Sequence, residues 1–183
     1  MRRPIPTENL AEDTRRLMDV LNDEPDLACV VIAAAFLDTT LSNLLETKFR
    51  QSSVSERLLA PNGALGTFGA RTDLAYALEL ISKAQHEDLR LLARIRNRFA
   101  HSHLLLTFTD VGVQDRCNHL HEWRFLLVGE DEDIPTTPTD EQRRIRARNQ
   151  FKLTVVFLAN RILLTSLGLK QKRTSEKSYG QDK

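Results

Sequence analysis

The stretch that most constrains the fold of this chain is an almost uninterrupted apolar run from Leu27 to Phe36. Asp23, Glu24 and Pro25 form a helix-start signal, and leucines at helical spacing extend the pattern to about Arg50, which predicts one helix of about 39 Å at 1.5 Å per residue. A helix that is apolar on every side must be covered by neighbours on several sides. The sequence therefore predicts an all-α bundle with this segment at its centre.

The same apolar spacing predicts helices before and after the central one. Pro61-Asn62-Gly63 is a turn signal, and Gly66 and Gly69 indicate a close backbone approach where a further helix begins. We predict, in chain order, a covering helix from Thr7 or Glu8 to about Asn22, the central helix, a short segment from Ser55 to Ala60, a third helix to about Lys83 and a fourth from about Glu87.

The second half of the chain has a less regular pattern. Residues 104–113 alternate loosely and fit an extended segment, whereas a capped short helix from Asp115 to about Trp123 is an equal alternative. An acidic loop over residues 130–133 and a proline-threonine linker follow. Asp140 is then predicted to cap a last long helix, which Gly168 would stop.

Length and composition favour one domain. With 183 residues, 41% hydrophobic and 28% charged, the chain can bury one sizeable core. We expect a single domain of five to seven helices over residues 1–169 and a flexible basic tail over residues 170–183. The formal net charge of +1 gives no global field for a polyanion, so any nucleic acid would have to bind a local patch.

The sequence carries no targeting, membrane or cofactor signal. The first ten residues lack an apolar signal core, and the run from Leu27 to Leu37 is too short to span a bilayer. Cys29 and Cys117 lie far apart and suggest neither a disulfide framework nor a zinc site. We expect a cytoplasmic protein without membrane contact, metal or cofactor.

One hexapeptide, RNRFAH at residues 96–101, points to a particular chemistry. An imidazole can move protons near neutral pH, and a guanidinium group can hold two phosphate oxygens. With the 2′-hydroxyl of RNA as the nucleophile, His101 would transfer the proton, Arg96 would stabilise the phosphate and Asn97 would orient either group. One motif offers one proton shuttle, so two motifs would have to meet across a two-fold axis. An inert helix end, where the helix dipole favours a histidine, fits the same spacing.

Two further sets of charged residues are candidates for structural or binding roles. Asp38 interrupts the central helix, where it either faces the rim or is buried with Arg71 or Arg96 as its partner. Arg71 and Asp73 open the third helix and are candidates for structural support. The second set recurs at four-residue steps on the last helix and could follow phosphates, although a solvated or intramolecular role fits equally: Arg144, Arg148 and Lys152.

The motif resembles a known signature. Arg96, Asn97 and His101 match the R-x(4–6)-H pattern of HEPN domains, in its form with a polar residue after the arginine. The chain is similar more specifically to the mannitol operon repressor (MltR/YggD-like) family over roughly residues 27 to 121. The stretches that carry this second resemblance are AAFLD at 34–38, GALGTFGARTDLA at 63–75 and IRNRFAH at 95–101.

These resemblances imply a dimeric, HEPN-like up-and-down helical bundle that regulates transcription without a DNA-reading helix-turn-helix. The sequence likewise contains no apolar helix pair joined by a tight glycine turn. We first expect a regulator that acts through protein contacts or an atypical nucleic-acid surface. The alternatives are a metal-independent HEPN ribonuclease, such as a component of a toxin–antitoxin pair, and a catalytically silent dimeric interaction module. The corresponding partners are a second copy, a regulator or antitoxin protein, and RNA or DNA.

Overall fold

The structure, a computed structural model, describes residues 10–102, 106–126 and 138–179. In these residues the chain forms seven α-helices and one short 3₁₀ helix, without a β-strand, which confirms the predicted all-α bundle of five to seven helices. The elements are, in order, α1 (Leu10–Asp23), α2 (Asp26–Lys48), α3 (Ser53–Leu59), α4 (Phe68–Ala77), α5 (Lys83–His101), α6 (Val111–Asn118), the 3₁₀ helix (Glu122–Leu126) and α7 (Asp140–Tyr179).

Helix α2 lies at the centre of the bundle, as its apolar sequence predicts. It packs against α1, α4, α5 and α7, and its buried side chains include Cys29, Leu37 and Leu44. Among the described residues, one face of its first half lacks a cover, since Leu27 and Val31 are 45% and 46% exposed. The described helices therefore wrap α2 on several sides but do not cover this apolar face.

Helices α2 and α7 are long and apolar enough to cross a bilayer by length and composition alone. The core helix of a soluble protein passes the same test, and α2 and α7 here bury side chains against each other. Their hydropathy is therefore weak evidence for a membrane protein.

The predicted third helix ends early. Helix α4 stops at Ala77 rather than near Lys83. Glu79 adopts a positive φ of 55°, and the backbone NH of Leu80 donates to the carbonyl oxygen of Ala75 at 2.9 Å. This is the hydrogen-bonding pattern of a helix end that usually contains glycine, so a glutamate at this position gives no sequence signal for it.

Helix α5 starts earlier than its apolar spacing indicates. It begins at Lys83 instead of about Glu87 because Ser82 and Gln85 form a capping box. The Ser82 hydroxyl accepts the NH of Gln85 at 3.3 Å, and the Gln85 side chain accepts the NH of Ser82 at 2.8 Å. The S-x-x-Q pattern of this box is visible in the sequence.

The predicted close backbone approach is present at Gly66 and absent at Gly69. A Cβ atom on Gly66 would lie 2.2 Å from the carbonyl oxygen of Pro61, whereas on Gly69 it would find only an arginine nitrogen at 3.5 Å. Gly63 is similarly restricted, with the carbonyl oxygen of Arg57 at 2.1 Å. The turn between α3 and α4 thus requires glycine at positions 63 and 66.

The second half of the chain contains a short helix, in agreement with one of the two predicted alternatives. Helix α6 is capped by Asp110 and begins at Val111, four residues before the predicted start. Residues 106–110 form irregular structure, so the extended alternative is wrong there. The acidic loop over 130–133 lies outside the described residues.

Helix α7 differs from the prediction at both ends. Thr139 caps it in place of Asp140, since its hydroxyl accepts the NH of Gln142 at 3.2 Å. The helix continues past Gly168 to Tyr179, so the predicted stop is wrong and residues 170–179 of the predicted tail are helical. A glycine weakens a helix by only about 1 kcal/mol relative to alanine, and the lysines and glutamines that follow are good helix formers.

Candidate functional site

Helix α5 presents the sequence motif at the surface because its opposite side is anchored in the core. Four apolar side chains are buried on the inner side, as their spacing predicts: Leu89, Leu92, Ile95 and Phe99. Four polar side chains at three- and four-residue steps are exposed on the outer side, and we call them the α5 stripe: Arg94, Asn97, Arg98 and His101.

Most of the α5 stripe is not engaged by the other residues that the structure describes. Arg94, Asn97 and His101 form no side-chain hydrogen bond or ion pair with any residue that the structure describes. Their donors and acceptors are therefore left to solvent or to a binding partner.

Arg96 lies on a different side of α5 from His101. At about 100° per residue, the five steps between them correspond to about 140° around the helix axis. Arg96 is half-buried at the edge of the packed side, whereas Asn97 and His101 are exposed neighbours one turn apart. Within one chain the predicted guanidinium and imidazole groups do not share a face. A catalytic role for Arg96, Asn97 and His101 stays a prediction that requires a second chain.

Arg98 is held by a carboxylate of the neighbouring element. Its Nε and Nη2 atoms donate to the two oxygens of Asp110 at 2.9 and 3.0 Å. The hydrogen bond from Arg98 lowers the pKa of Asp110, and the same bond raises the pKa of Arg98. Asp110 also accepts the NH of Val113 at 3.0 Å, so the pair ties the end of α5 to the start of α6.

A further guanidinium group lies beside Arg98. A Cβ atom on Gly112 would lie 3.2 Å from Nη1 of Arg116 and 3.2 Å from Cζ of Arg98, so both side chains converge over this glycine. The neighbouring Val111 is 79% exposed, more than any other large apolar side chain that the structure describes. The α5 stripe together with Asp110, Val111 and Arg116 forms what we call the cationic surface.

Three basic residues of α7, Arg144, Arg148 and Lys152, bind other parts of the chain. Asp26, which is 6% exposed, accepts hydrogen bonds from Arg148 at 2.8 Å, from Arg144 at 3.1 Å and from the NH of Phe108 at 3.1 Å. Asp26 lies in the first turn of α2, where the helix dipole favours a negative charge. These bonds join α2, α7 and the segment before α6.

Arg148 and Lys152 also bind the C-terminal end of α1. Arg148 donates to the carbonyl oxygens of Leu21 at 3.0 Å, of Asn22 at 3.2 Å and of Glu24. Lys152 donates to Oδ1 of Asn22 at 2.6 Å, and its pKa is lowered first by burial and then by the charge of Arg148. The structure thus gives these cations intramolecular partners, and their predicted contact with nucleic acid stays a prediction.

The predicted structural support around Asp38 is partly as expected. Arg71 is 1% exposed, pairs with Asp38 and donates to the carbonyl oxygen of Leu59 at 2.9 Å. Arg71 is therefore the partner of Asp38, and Arg96 has no such role. Asp38 itself is 24% exposed and lies at the rim of the buried region, where it links α2 to α3 and α4 through Arg71.

Asp73 joins α4 to α5 at the surface. Its carboxylate contacts Nε2 of His86 at 2.8 Å and Nη1 of Arg90 at 3.4 Å. The His86 ring also stacks on Tyr76, with 4.7 Å between ring centroids. The exposure of Asp73 makes this a supporting contact of modest strength.

A buried acidic network is absent from the sequence-based prediction. Asp88 is fully buried and accepts the NH groups of His121 and Glu122, each at 2.9 Å, and contacts Nδ1 of His121 at 2.8 Å. Burial raises the pKa of Glu122, whereas Arg161, which donates to it at 2.7 Å, acts in the opposite direction. Asp88 lies four residues before the buried Leu92, so its inward position could have been read from the apolar spacing. The network holds the 3₁₀ helix on α5 and α7.

The described side chains offer no arrangement for metal or thiol chemistry. No group of three or more His, Cys, Asp or Glu residues in these ranges could hold a metal ion. Cys29 and Cys117 are buried, and burial raises the pKa of their thiols to about 11 and about 12. Neither thiol is in the thiolate form that nucleophilic cysteine chemistry requires.

Two solved structures define the class of helical bundle to which this fold belongs. The chain of the X-ray structure of the MtlR-HPr complex from Escherichia coli aligns with a TM-score of 0.65 and 23% identity, over 81% of this chain and 97% of that chain. A possible transcriptional regulator, YggD from Shigella flexneri 2a str. 2457T, aligns with a TM-score of 0.67 and 13% identity, over 88% of this chain and 99% of that chain. At these identities the likeness establishes the fold.

The chain belongs to the mannitol repressor family, whose model matches residues 13–161. The mannitol operon repressors of Escherichia coli strains K12 and O6:H1 (CFT073) are each 30% identical to it over 112 residues, which is 58% of this chain and 57% of each relative. The chain thus spans a little over half the length of these relatives. The family resemblance seen in the sequence is confirmed, and the HEPN motif stays a prediction.

Proposed function

We propose that this protein is a cytoplasmic regulator of the mannitol-repressor kind, which acts on transcription through contacts with a protein partner. The match to the family across residues 13–161, from α1 to α7, carries the proposal. A protein partner is supported by the MtlR structure from Escherichia coli, which is a complex with HPr. By this analogy the partner of the present chain is an HPr protein.

Two features of the bundle favour protein contacts over direct reading of DNA. The arginines of α7 that could have followed phosphates are bonded to Asp26 and to the end of α1. The α5 stripe, by contrast, leaves polar groups available at the surface. A short row of exposed polar groups can bind a patch on a protein surface, whereas a phosphate backbone is long and continuous.

The test is a calorimetric titration of the purified full chain with the HPr protein of the same organism, together with transcript levels after deletion of the gene. The proposal expects saturable binding and increased transcription of a mannitol operon in the deletion strain. Absence of binding together with unchanged transcription contradicts it. Salt-sensitive binding of operator DNA by the chain alone would favour direct repression instead.

A second candidate function is metal-independent cleavage of RNA. The observation that favours it is the exposure of Asn97 and His101 as neighbours at the end of α5, without a partner among the described residues. Because Arg96 lies on another side of the helix, this function requires a homodimer in which Arg96 of one chain approaches His101 of the other.

The ribonuclease test combines light scattering with RNA cleavage in the presence of EDTA. Cleavage by a dimer that is lost in His101→Ala and in Arg96→Ala, and retained in the surface control Arg57→Ala, supports this function. Equal residual cleavage in all four proteins excludes it, because the activity would then come from a contaminant.

A further inference from the structure

The cationic surface carries more positive charge than the described part of the chain neutralises. Its guanidinium groups belong to Arg94, Arg98 and Arg116, and among the described residues Asp110 is the carboxylate that pairs with them. Asp110 is committed to Arg98 in a two-point contact. Arg116 donates to the carbonyl oxygen of Gly112 in its own helix, which compensates no charge.

The Arg98–Asp110 pair shows how this surface receives a carboxylate. Both oxygens of Asp110 are bound by the planar fork of the guanidinium, which is the geometry that arginine offers to carboxylates. Arg94 lies one turn before Arg98, about 6 Å along the axis, and has the same fork available. Asn97 and His101 add further hydrogen-bonding groups beside it. The stripe therefore offers positions for two or three further carboxylate groups over about 10 Å.

The surroundings of the cationic surface match a polypeptide better than a nucleic acid. Acidic side chains stand at its two ends, with Asp73 beside Arg90 and the exposed Asp115 one turn after Val111. These carboxylates limit the length of any anionic segment that the surface can hold, which disfavours a phosphate backbone that continues along the helix. Val111 supplies an exposed apolar contact of the kind found within protein interfaces. The short cationic array, bounded by acids and next to an apolar side chain, complements an acidic segment with one apolar residue.

We propose that the cationic surface docks an acidic segment of a partner protein. Carboxylates of that segment bind Arg94 and Arg116, and an apolar side chain of the segment packs on Val111. This docking does not require HPr to be the regulatory partner, and because it covers Asn97 and His101 it would compete with RNA at the same surface.

The experiment measures binding of the full chain by fluorescence anisotropy. The probe is a labelled short peptide of alternating Glu and Asp around one central Leu, and its control is the same peptide with Gln and Asn in place of the acids. We expect the acidic peptide to bind, with an affinity that falls as salt is raised, and the neutral peptide not to bind. Arg94→Glu should weaken binding by about tenfold or more.

The matched control is Arg146→Glu, which makes the same change of charge at an exposed position on α7. It should change the affinity by less than about twofold, because it lies outside the cationic surface. Equal weakening by both substitutions overturns the proposal, since it would reflect net charge alone. Failure of the acidic peptide to bind also overturns it, and so does binding of a labelled oligothymidylate in place of the peptide.

Folding of the variants is checked by their thermal unfolding. Arg94 has no partner among the described residues, so Arg94→Glu should unfold at nearly the wild-type temperature. Val111→Ser provides a second variant that removes the apolar contact without changing charge. It should lower the affinity for the acidic peptide by about threefold. Unchanged affinity in both Val111→Ser and Arg94→Glu overturns the proposal.

Discussion

Two rows of basic residues in this bundle have similar spacing and opposite surroundings. On α7, Arg144 and Arg148 are bonded to the buried Asp26, whereas on α5 Arg94 and His101 have no partner among the described residues. Spacing by three, four or seven residues places such side chains on one helix face but does not decide what that face meets. The difference arises because the start of α2 and the end of α1 lie against α7. The carboxylate of Asp26 at the start of α2 and the backbone carbonyl groups at the end of α1 bind the cations of α7.

The largest effect that this comparison predicts is at the α7 row. Asp26→Ala removes the acceptor shared by Arg144, Arg148 and the NH of Phe108, and should lower the free energy of unfolding by about 3 kcal/mol. The loss of stability is measured by urea denaturation monitored by circular dichroism. The control Asp19→Ala, at an exposed position of α1, should change stability by less than about 0.5 kcal/mol. Similar small effects for both substitutions would show that the Asp26 network does not hold the helices together.

The next effect tests whether a buried polar side chain of α7 stabilises the fold only when it has a hydrogen-bond partner. Gln150 is 2% exposed, and neither polar atom of its amide has a hydrogen-bond partner among the described residues. Gln150→Leu should therefore raise the free energy of unfolding by about 1 kcal/mol. The neighbouring exposed Asn149→Leu is the control and should be nearly neutral. A loss of stability in Gln150→Leu would contradict this account, because it would mean that the amide makes favourable contacts.

A smaller effect is expected where the α5 stripe is anchored to α6. Asp110→Asn keeps a good helix cap but removes the charge that Arg98 binds, and should lower stability by about 0.5 kcal/mol at neutral pH. Because the hydrogen bond from Arg98 lowers the folded-state pKa of Asp110, the contribution of the pair is present above the unfolded-state pKa and is lost as pH falls through the folded-state pKa. The stability of wild type and variant, measured by urea denaturation across pH, should therefore converge in acid. A constant difference at all pH values would assign the effect to something other than the ion pair.

The fold could be predicted from the sequence where the pattern is local. The apolar run from Leu27 to Phe36 identifies the central helix, and the spacing of Leu89, Leu92 and Ile95 orients α5. Helix ends were harder, because Gly168 lies inside a helix while Glu79 ends one. At Gly168 the cost of about 1 kcal/mol for a glycine is too small to end the helix, and at Glu79 the hydrogen bonds of the helix end hold a residue that is not glycine at positive φ.

The candidate site was predictable in part for the same reason. The exposed positions of Asn97 and His101 follow from helix periodicity, and so does the separation of Arg96 from His101 around the axis. The partners of the α7 cations did not follow, because Asp26 lies 118 residues before Arg144 and no local pattern joins them. Helix periodicity gives the side of a helix on which a residue lies, but long-range packing decides what covers that side.

The bundle thus uses its two basic rows differently: the α7 cations hold helices together, while the α5 stripe is available for binding. The most direct test is the free energy of unfolding of Arg148→Ala and Arg94→Ala, measured side by side by urea denaturation. The account predicts a loss of about 2 kcal/mol for Arg148→Ala, which removes bonds to Asp26 and to the end of α1, and less than about 0.5 kcal/mol for Arg94→Ala. Equal losses in the two variants, or a larger loss for Arg94→Ala, would contradict it.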